Sequence, residues 1–352
     1  MDLELPFLTA DVPPIAARLK ERPEDFAVEE LPAYAPSGEG EHVLFEVEKR
    51  GLSTHAALER VARALGVPRG DLGYAGLKDA RAVTRQWLSA RGVAPEALRA
   101  LELEGLRVLS AARHGNKLRV GHLRGNAFRL RLRGVEAARA DEVDAVLARL
   151  HERGLPNAFG PQRFGKDGAS WRLGRELVEG RARRERRRRG KALLRLYVSA
   201  WQAWLFNRVL RARWGSFDRL LDGDLAWLHD RGAVFAVEDH AREAERARSG
   251  EVSPTGPLCG EAGLAPQGEA LALERAALAA EGVPDGRLGG PPFLRWQGAR
   301  RPLRVPLGPV ERNFDRDEHG PFLELAFELP AGSYATALVR ELTKRDDDAG
   351  SG

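Results

Sequence analysis

The sequence predicts an α+β fold in which one domain is interrupted by another. Three observations carry this: period-two alternation in two segments far apart in the chain (Phe128–Arg133 and Leu323–Leu329), helix-period apolar stripes between them, and a change of texture over residues 155–301. A chain of 352 residues with 43% hydrophobic content exceeds the usual single core, so two domains, or one domain with a large insertion, is the expected arrangement. The order of strand and helix, distinct block, then strand and helix again predicts a domain formed by residues 1–154 plus 302–352. Residues 155–301 are then its insertion, and the C-terminal strand completes its mixed or antiparallel sheet.

Residues 53–65 read as an amphipathic helix, with Ser53 as cap, Ala57, Leu58, Val61, Ala62 and Leu65 on one face, and Gly66 just past the end. The run Gly73-Tyr74-Ala75-Gly76-Leu77-Lys78-Asp79 follows. Its glycines allow close backbone approach, so the loop can present Asp79 at the mouth of a pocket. Asp79 directly before Ala80-Arg81-Ala82-Val83 also suits the N-cap of a helix, the commoner use of a lone loop aspartate.

From Arg107 to Arg133 there are eight Lys or Arg and no acid. Within that strip the alternation Phe128-Arg129-Leu130-Arg131-Leu132-Arg133 predicts a strand with one apolar face and one row of arginines. Such a face suits phosphates; the alternative is an ordinary solvated strand face. Residues 141–153 read as a helix with Val143, Val146, Leu147 and Leu150 as its stripe and Gly154 as terminator.

The Pro- and Gly-rich stretch Leu155 to Gly165 marks a boundary near residue 155. Residues 181–191 hold eight basic residues and one acid, either a solvated face or a track for an RNA backbone. Val198 to Trp214 is helix-like, and its Trp201, Trp204, Leu205, Val209 and Leu210 are read as packing a core rather than stacking on RNA. Residues 215–300 are mixed. Leu323, Leu325, Phe327 and Leu329 alternate as a strand, Pro330–Tyr334 is a turn into a short helix from Ala335 to Leu342, and 344–352 reads as a frayed tail.

Composition narrows the function. The net charge of +5 is modest, so where the charge sits matters more than its total. A single cysteine, Cys259, can form neither an internal disulfide nor a thiolate cluster, which points to a reducing, cytoplasmic setting. The acidic, proline-interrupted start Met1 to Pro6 does not read as a signal peptide, and no apolar run approaches the ~20 residues of a membrane span. GxxxxGK[ST], a well-placed GxGxxG, HExxH and GxSxG are all missing, which argues against nucleotide-driven, metal-dependent and serine-nucleophile chemistry. An acid on a loop, a basic strip and aromatics near loops remain, and these suffice for a cofactor-free rearrangement of a nucleotide.

The residues resemble the TruD family of tRNA pseudouridine synthases. The resemblance rests on Pro23–Phe26, Tyr74–Asp79, Arg124–Phe128, Asn157–Gly165, Ser199-Ala200, and Leu329–Thr336 with Val339–Leu342, in the family's order. It implies isomerisation of uridine 13 of tRNA to pseudouridine, without metal or organic cofactor, by a monomer with tRNA as partner and no membrane association. It further implies a V-shaped molecule in which a pseudouridine-synthase catalytic domain is interrupted by a family-specific α/β insertion. Asp79 matches the family's catalytic aspartate. Phe26, Asn126 and Tyr334 match substrate-contacting positions, and Lys20, Lys78 and Phe128 are expected beside them. Tyr334 stands where many relatives carry Phe, keeping a stacking face, and Ala158 stands where a larger aromatic is common.

The reaction needs an ionised carboxylate in a sheltered pocket, and burial alone raises a carboxyl pKa. An opposing cation must counter it; Lys20 is the first candidate and Lys78 the second. Stacking on Phe26, Phe128 or Tyr334 offsets the cost of flipping the base, and the Asn126 amide suits the uracil edge. On residue pattern alone Phe128 reads as core. A non-catalytic RNA-binding or RNA-chaperone protein on the same scaffold is the alternative function, and the Lys78-Asp79 pair favours the enzyme.

Overall fold

The computed structural model describes residues 5–165, 167–288 and 296–346. In chain order its first elements are β1 Phe26–Pro32, β2 His42–Arg50, α1 Thr54–Leu65, β3 Leu72–Tyr74, β4 Val83–Arg91, α2 Pro95–Arg99, β5 Glu102–Leu103, β6 Leu106–His114 and β7 Leu123–Arg133. The middle of the chain gives α3 Ala140–Arg153, β8 Leu155–Pro156, α4 Ser170–Val178, α5 Arg183–Arg188, α6 Lys191–Ala212, β9 Leu225–Leu228, β10 Ala233–Ala236, α7 His240–Arg248, β11 Val252–Leu258 and α8 Gly268–Ala279. The last are β12 Ala299–Pro302, β13 Arg304–Val305, β14 Glu311–Asp317, β15 Gly320–Pro330 and α9 Thr336–Thr343. Among the described residues no helix is long and apolar enough to cross a membrane.

Two compact units result. Among the described residues, one is drawn from 15–141 and 308–333; the other from 142–307 with 5–14 and 334–346. The expected insertion, 155–301, falls wholly inside the second unit.

The first unit is built on a nine-stranded sheet of order β14-β15-β7-β1-β4-β2-β6-β5, with β3 added beside β4. β1 and β4 run parallel while the other pairs are antiparallel, so the sheet is mixed and the α+β class holds. Helix α1 covers one end of it. Ser53 accepts from the amide of Ala56, and Gly66 closes the helix at φ 67 by bonding to Ala62 and Arg63 carbonyls. The stripe Ala57, Leu58, Val61 and Ala62 packs on Val43, Phe45 and Val47 of β2 and on Leu88 and Ala90 of β4. In β7, Phe128, Leu130 and Leu132 pair with Phe327, Leu325 and Leu323 of β15, so the two alternating segments meet as sheet neighbours.

The arginine row of β7 is not a free cationic face. Arg129 and Arg131 both pair with Glu324 of β15, at 3.3 and 2.8 Å. Arg133 is buried, with Asp25 at 2.6 Å and Asp317 at 2.7 Å, and these bonds raise its already high pKa. The neutralising carboxylates come from other segments, which the charge pattern of one strand cannot reveal.

The second unit is organised around α6, which begins seven residues before the expected Val198. Trp201 is buried and Trp171 of α4 stacks on both Trp201 and Trp204, at 5.7 and 4.2 Å between ring centroids, so the tryptophans pack a core. Gly174 lets α4 lie against α6, since a Cβ there would collide with the Tyr197 carbonyl. Cys259 lies in the same cluster, and burial pushes its thiol up to about 12. A four-stranded sheet, β10-β9-β11-β12, and a two-stranded ribbon, β13-β8, complete the unit. Asp346 accepts from Arg340 at 2.5 Å, so the chain is still packed there; the rest of the expected frayed tail, 347–352, lies outside the described residues.

Candidate active site

Asp79 sits in the connection between β3 and β4, and the segment after it enters a strand rather than a helix. The helix-cap reading of Asp79 is therefore overturned. Its Oδ1 instead accepts from the amide of Arg81 at 3.0 Å, closing a local turn, and Oδ2 accepts from Lys20 Nζ at 2.6 Å. The side chains are 27% and 10% exposed. Burial raises the Asp79 carboxyl, but the Lys20 hydrogen bond and charge, with the Arg81 and Ala80 amides, outweigh it and hold the pKa below the usual carboxylate value. The carboxylate is therefore anionic at neutral pH while largely shielded.

Lys20 reaches it from an unusual backbone conformation, φ 58. A β-carbon makes that region costly, about 1–3 kcal/mol, and such strain persists where the surroundings over-determine it. The ammonium also lies 4.2 Å from the Phe26 ring centroid. Phe26 meets Phe128 edge to face at 6.4 Å, and Phe128 stacks on Phe327 at 5.5 Å. Lys20, Phe26, Phe128 and Asp79 are thus brought together, with both phenylalanine rings buried.

Lys78 is not the partner of Asp79. Its ammonium pairs with buried Glu30 of β1, and its amide donates to Thr54 Oγ1 at 2.9 Å, so adjacent side chains on the loop diverge. Glu30 in turn accepts from the Trp87 amide at 3.2 Å. Asn126 stands opposite Glu30 in the β1–β7 register, and its Oδ1 is buried without a hydrogen-bond partner among the described residues. Tyr334 belongs to the other compact unit, where it packs against Phe159 at 6.2 Å and Arg301 at 6.0 Å.

Sequence reasoning missed the floor under Asp79. Lys49 of β2 is buried and its Nζ donates to the carbonyls of Asp79, at 3.0 Å, and Leu52, at 2.5 Å. Burial pushes the Lys49 amine down to about 8; Asp79 opposes the shift and Lys78 adds to it. Beside it Thr54 donates to Gln86 Oε1 at 2.9 Å, while Gln86 Nε2 and Thr84 Oγ1 are buried with no partner among the described residues. The signal was present in the alternation: Lys49 continues the inward series Val43, Phe45, Val47, and Glu30 continues Phe26, Val28. A charged residue in an apolar slot marks a site.

Gly73 is required where this loop crosses its neighbour, because a Cβ there would collide with the Leu118 carbonyl and Ser89 Oγ. Among the described residues no group of three or more His, Cys, Asp or Glu is placed to hold a metal ion. The arrangement supplies a fixed carboxylate, a cation holding it charged, and buried amide and hydroxyl groups with unused hydrogen-bonding capacity.

The family model for tRNA pseudouridine synthase D (TruD) matches residues 2–185 and 187–342. A tRNA pseudouridine synthase D of Geobacter metallireducens is 43% identical, over 98% of this chain and 99% of the relative. One from an Anaeromyxobacter species is 47% identical, over 97% of this chain and 96% of the relative. The solved structure of a TruD chain from Methanosarcina mazei superposes with a TM-score of 0.77 at 23% identity, covering 97% of each chain, which establishes likeness of fold.

Proposed function

The chain belongs to the TruD family of tRNA pseudouridine synthases, isomerases acting on tRNA, and from that premise we propose that it converts uridine 13 of tRNA to pseudouridine with Asp79 as the catalytic carboxylate. The observation that carries this reading is the Lys20–Asp79 pair at 2.6 Å, which keeps a shielded carboxylate ionised.

The reaction breaks the N1–C1′ bond, turns the uracil and joins C5 to C1′; C5 gives up its proton and N1 ends protonated, with no change in oxidation state. It needs an anion able to attack, or to take a proton, at the flipped nucleotide. In this reading Asp79 is that group and Lys20 sustains its charge. Asn126 is assigned the uracil edge by its motif match, and Phe26, beneath the Lys20 ammonium, with Phe128 shapes the apolar wall. Lys78 acts indirectly, anchoring the loop to Glu30. Tyr334 is assigned a substrate contact by its motif match. Residues 1–154 plus 302–352 are the catalytic domain in this reading, with 155–301 as the insertion, and the protein works as a monomer without metal or organic cofactor.

The test is to incubate the purified protein with unmodified tRNA and map pseudouridine by carbodiimide-dependent reverse-transcription stops. A stop at position 13 that survives EDTA and disappears in Asp79→Asn, while that variant still binds tRNA, is the expected result. A blank map for the unaltered protein refutes the enzyme reading, and an active Asp79→Asn removes the aspartate from its role.

A further inference from the structure

The acid-free strip from Arg107 to Arg133 is divided by the fold into two electrostatically different parts. Away from the β6–β7 connection the strand arginines are paired: Arg107 with Glu48 at 3.5 Å, Arg129 and Arg131 with Glu324, and Arg133 with Asp25 and Asp317. In the β6–β7 connection, and at the strand ends that flank it, the charges lack close carboxylates among the described residues. Arg113 donates to the Gly40 carbonyl and Lys117 to that of Gly70. Arg119 is exposed and has no side-chain partner among the described residues. Arg124 has only Glu328, 3.9 Å away with both side chains exposed. The strip's excess positive charge therefore lies in the β6–β7 connection, at Lys117 and Arg119, and at the flanking strand ends, at Arg113 and Arg124.

That connection is fastened to the loop that carries Asp79. Gly121 donates to the Ala75 carbonyl at 2.8 Å, and Leu118 packs with Ala75 and Leu44. Its base is stiffened by Tyr34, which stacks on His114 at 5.1 Å and lies 2.6 Å through its hydroxyl from His122 Nδ1. The Ser37 amide donates to His114 Nδ1 at 3.2 Å, leaving the hydrogen of that ring on Nε2. Tyr34, His114, Asn116, Lys117, Arg119 and His122 line one open concavity. Two apolar side chains, Leu77 and Val120, stand 63% and 71% exposed on these two joined loops.

We infer that the β6–β7 connection is an RNA-docking surface, whose Lys117, Arg119 and imidazole donors hold the sugar–phosphate backbone of the strand carrying the target uridine. Unpaired guanidinium and ammonium groups with ring N–H donors match phosphodiester oxygens, and exposed Leu77 and Val120 suit the apolar faces of ribose and base. Its attachment to the Asp79 loop ties backbone register to the position of the reacting nucleotide. This inference rests on the tRNA reading above and adds the contact surface to it.

Arg119→Gln tests it with little risk to folding, and Arg107→Gln, which removes the same charge from the paired part of the strip, is the control. Kd for unmodified tRNA is measured by filter binding across a salt series, alongside KM and kcat for pseudouridine formation. Arg119→Gln is expected to weaken binding about fivefold and to reduce the slope of log Kd against log salt by about one, with the loss in KM rather than kcat. Arg107→Gln is expected to leave that slope unchanged. Equal effects from the two variants, or no effect from Arg119→Gln, overturn the inference. Absence of product from the unaltered protein refutes the enzyme reading instead, and the binding contrast still decides this one.

Discussion

The ammonium of Lys49 donates to the main-chain carbonyl of Asp79 across 3.0 Å, while Lys20 bonds the carboxylate of the same residue at 2.6 Å. The aspartate is held at both ends, one grip fixing where its backbone lies and the other fixing its charge. Lys49→Met keeps the length of the side chain but leaves the Asp79 and Leu52 carbonyls without this donor. A shift of the loop by an ångström is expected to lower kcat by up to about 10²-fold with KM little altered, read by steady-state kinetics on unmodified tRNA.

The same lysine gives a pH signature in stability. Its folded pKa, about 8, lies below the ordinary 10.5, so between those values the unfolded chain binds more protons than the folded one. The penalty for burying the ammonium is fully present below pH 8 and is relieved as pH rises toward 10.5. The difference in Tm between the unaltered protein and Lys49→Met is therefore expected to shift in favour of the unaltered protein from pH 8 to 10. A constant difference contradicts a buried charged amine.

Lys20→Met leaves burial of Asp79 unopposed by its main cation, so the carboxyl pKa rises. In the unaltered protein the folded pKa is depressed: the stabilisation is present above the unfolded value and is lost as pH falls through the folded one. The acid limb of kcat/KM is expected to move to higher pH in Lys20→Met. A pH–rate profile with an unmoved acid limb detaches Lys20 from Asp79.

Arg133 is the buried hub of the first unit's charge network, and Asp25 is fully buried against it. Arg133→Met strands that carboxylate, and a loss of about 3–5 kcal/mol in urea unfolding is expected. Adding Asp25→Leu to the same chain is expected to recover part of it, because the uncompensated charge is then gone.

Ser53→Ala removes the side-chain acceptor that caps α1 and is expected to cost about 1 kcal/mol, measured by thermal unfolding.

What could be read from the residues followed the range of the interactions. Helix α1 was legible in full, from Ser53 through its stripe to Gly66, because caps and i, i+4 contacts are local. The strand of Phe128 and that of Leu323 were legible as alternations, since one buried face imposes period two on each. That Glu324 neutralises Arg129 and Arg131 was not, because a β-ladder between segments almost 200 positions apart leaves no mark on either alone. At the site, the need for a cation beside Asp79 was legible, and the family resemblance put Lys20 first for it. The direction of Lys78, set by Glu30 on another strand, was not legible. The capping alternative for Asp79 failed because the residues after it are recruited by β1 and β2 as β4, a tertiary demand that overrides local preference. Lys49 was readable in hindsight, as a charge where alternation calls for an apolar side chain.

Cys259, sealed among tryptophans with its thiol pushed up to about 12, makes the second unit a built-in clock. A disulfide reagent such as dithionitrobenzoate finds no reactive thiolate while α4 and α6 stay closed, and the chain offers it no other sulfhydryl. The pace of colour development in native buffer therefore reports how often that tryptophan-lined interior opens.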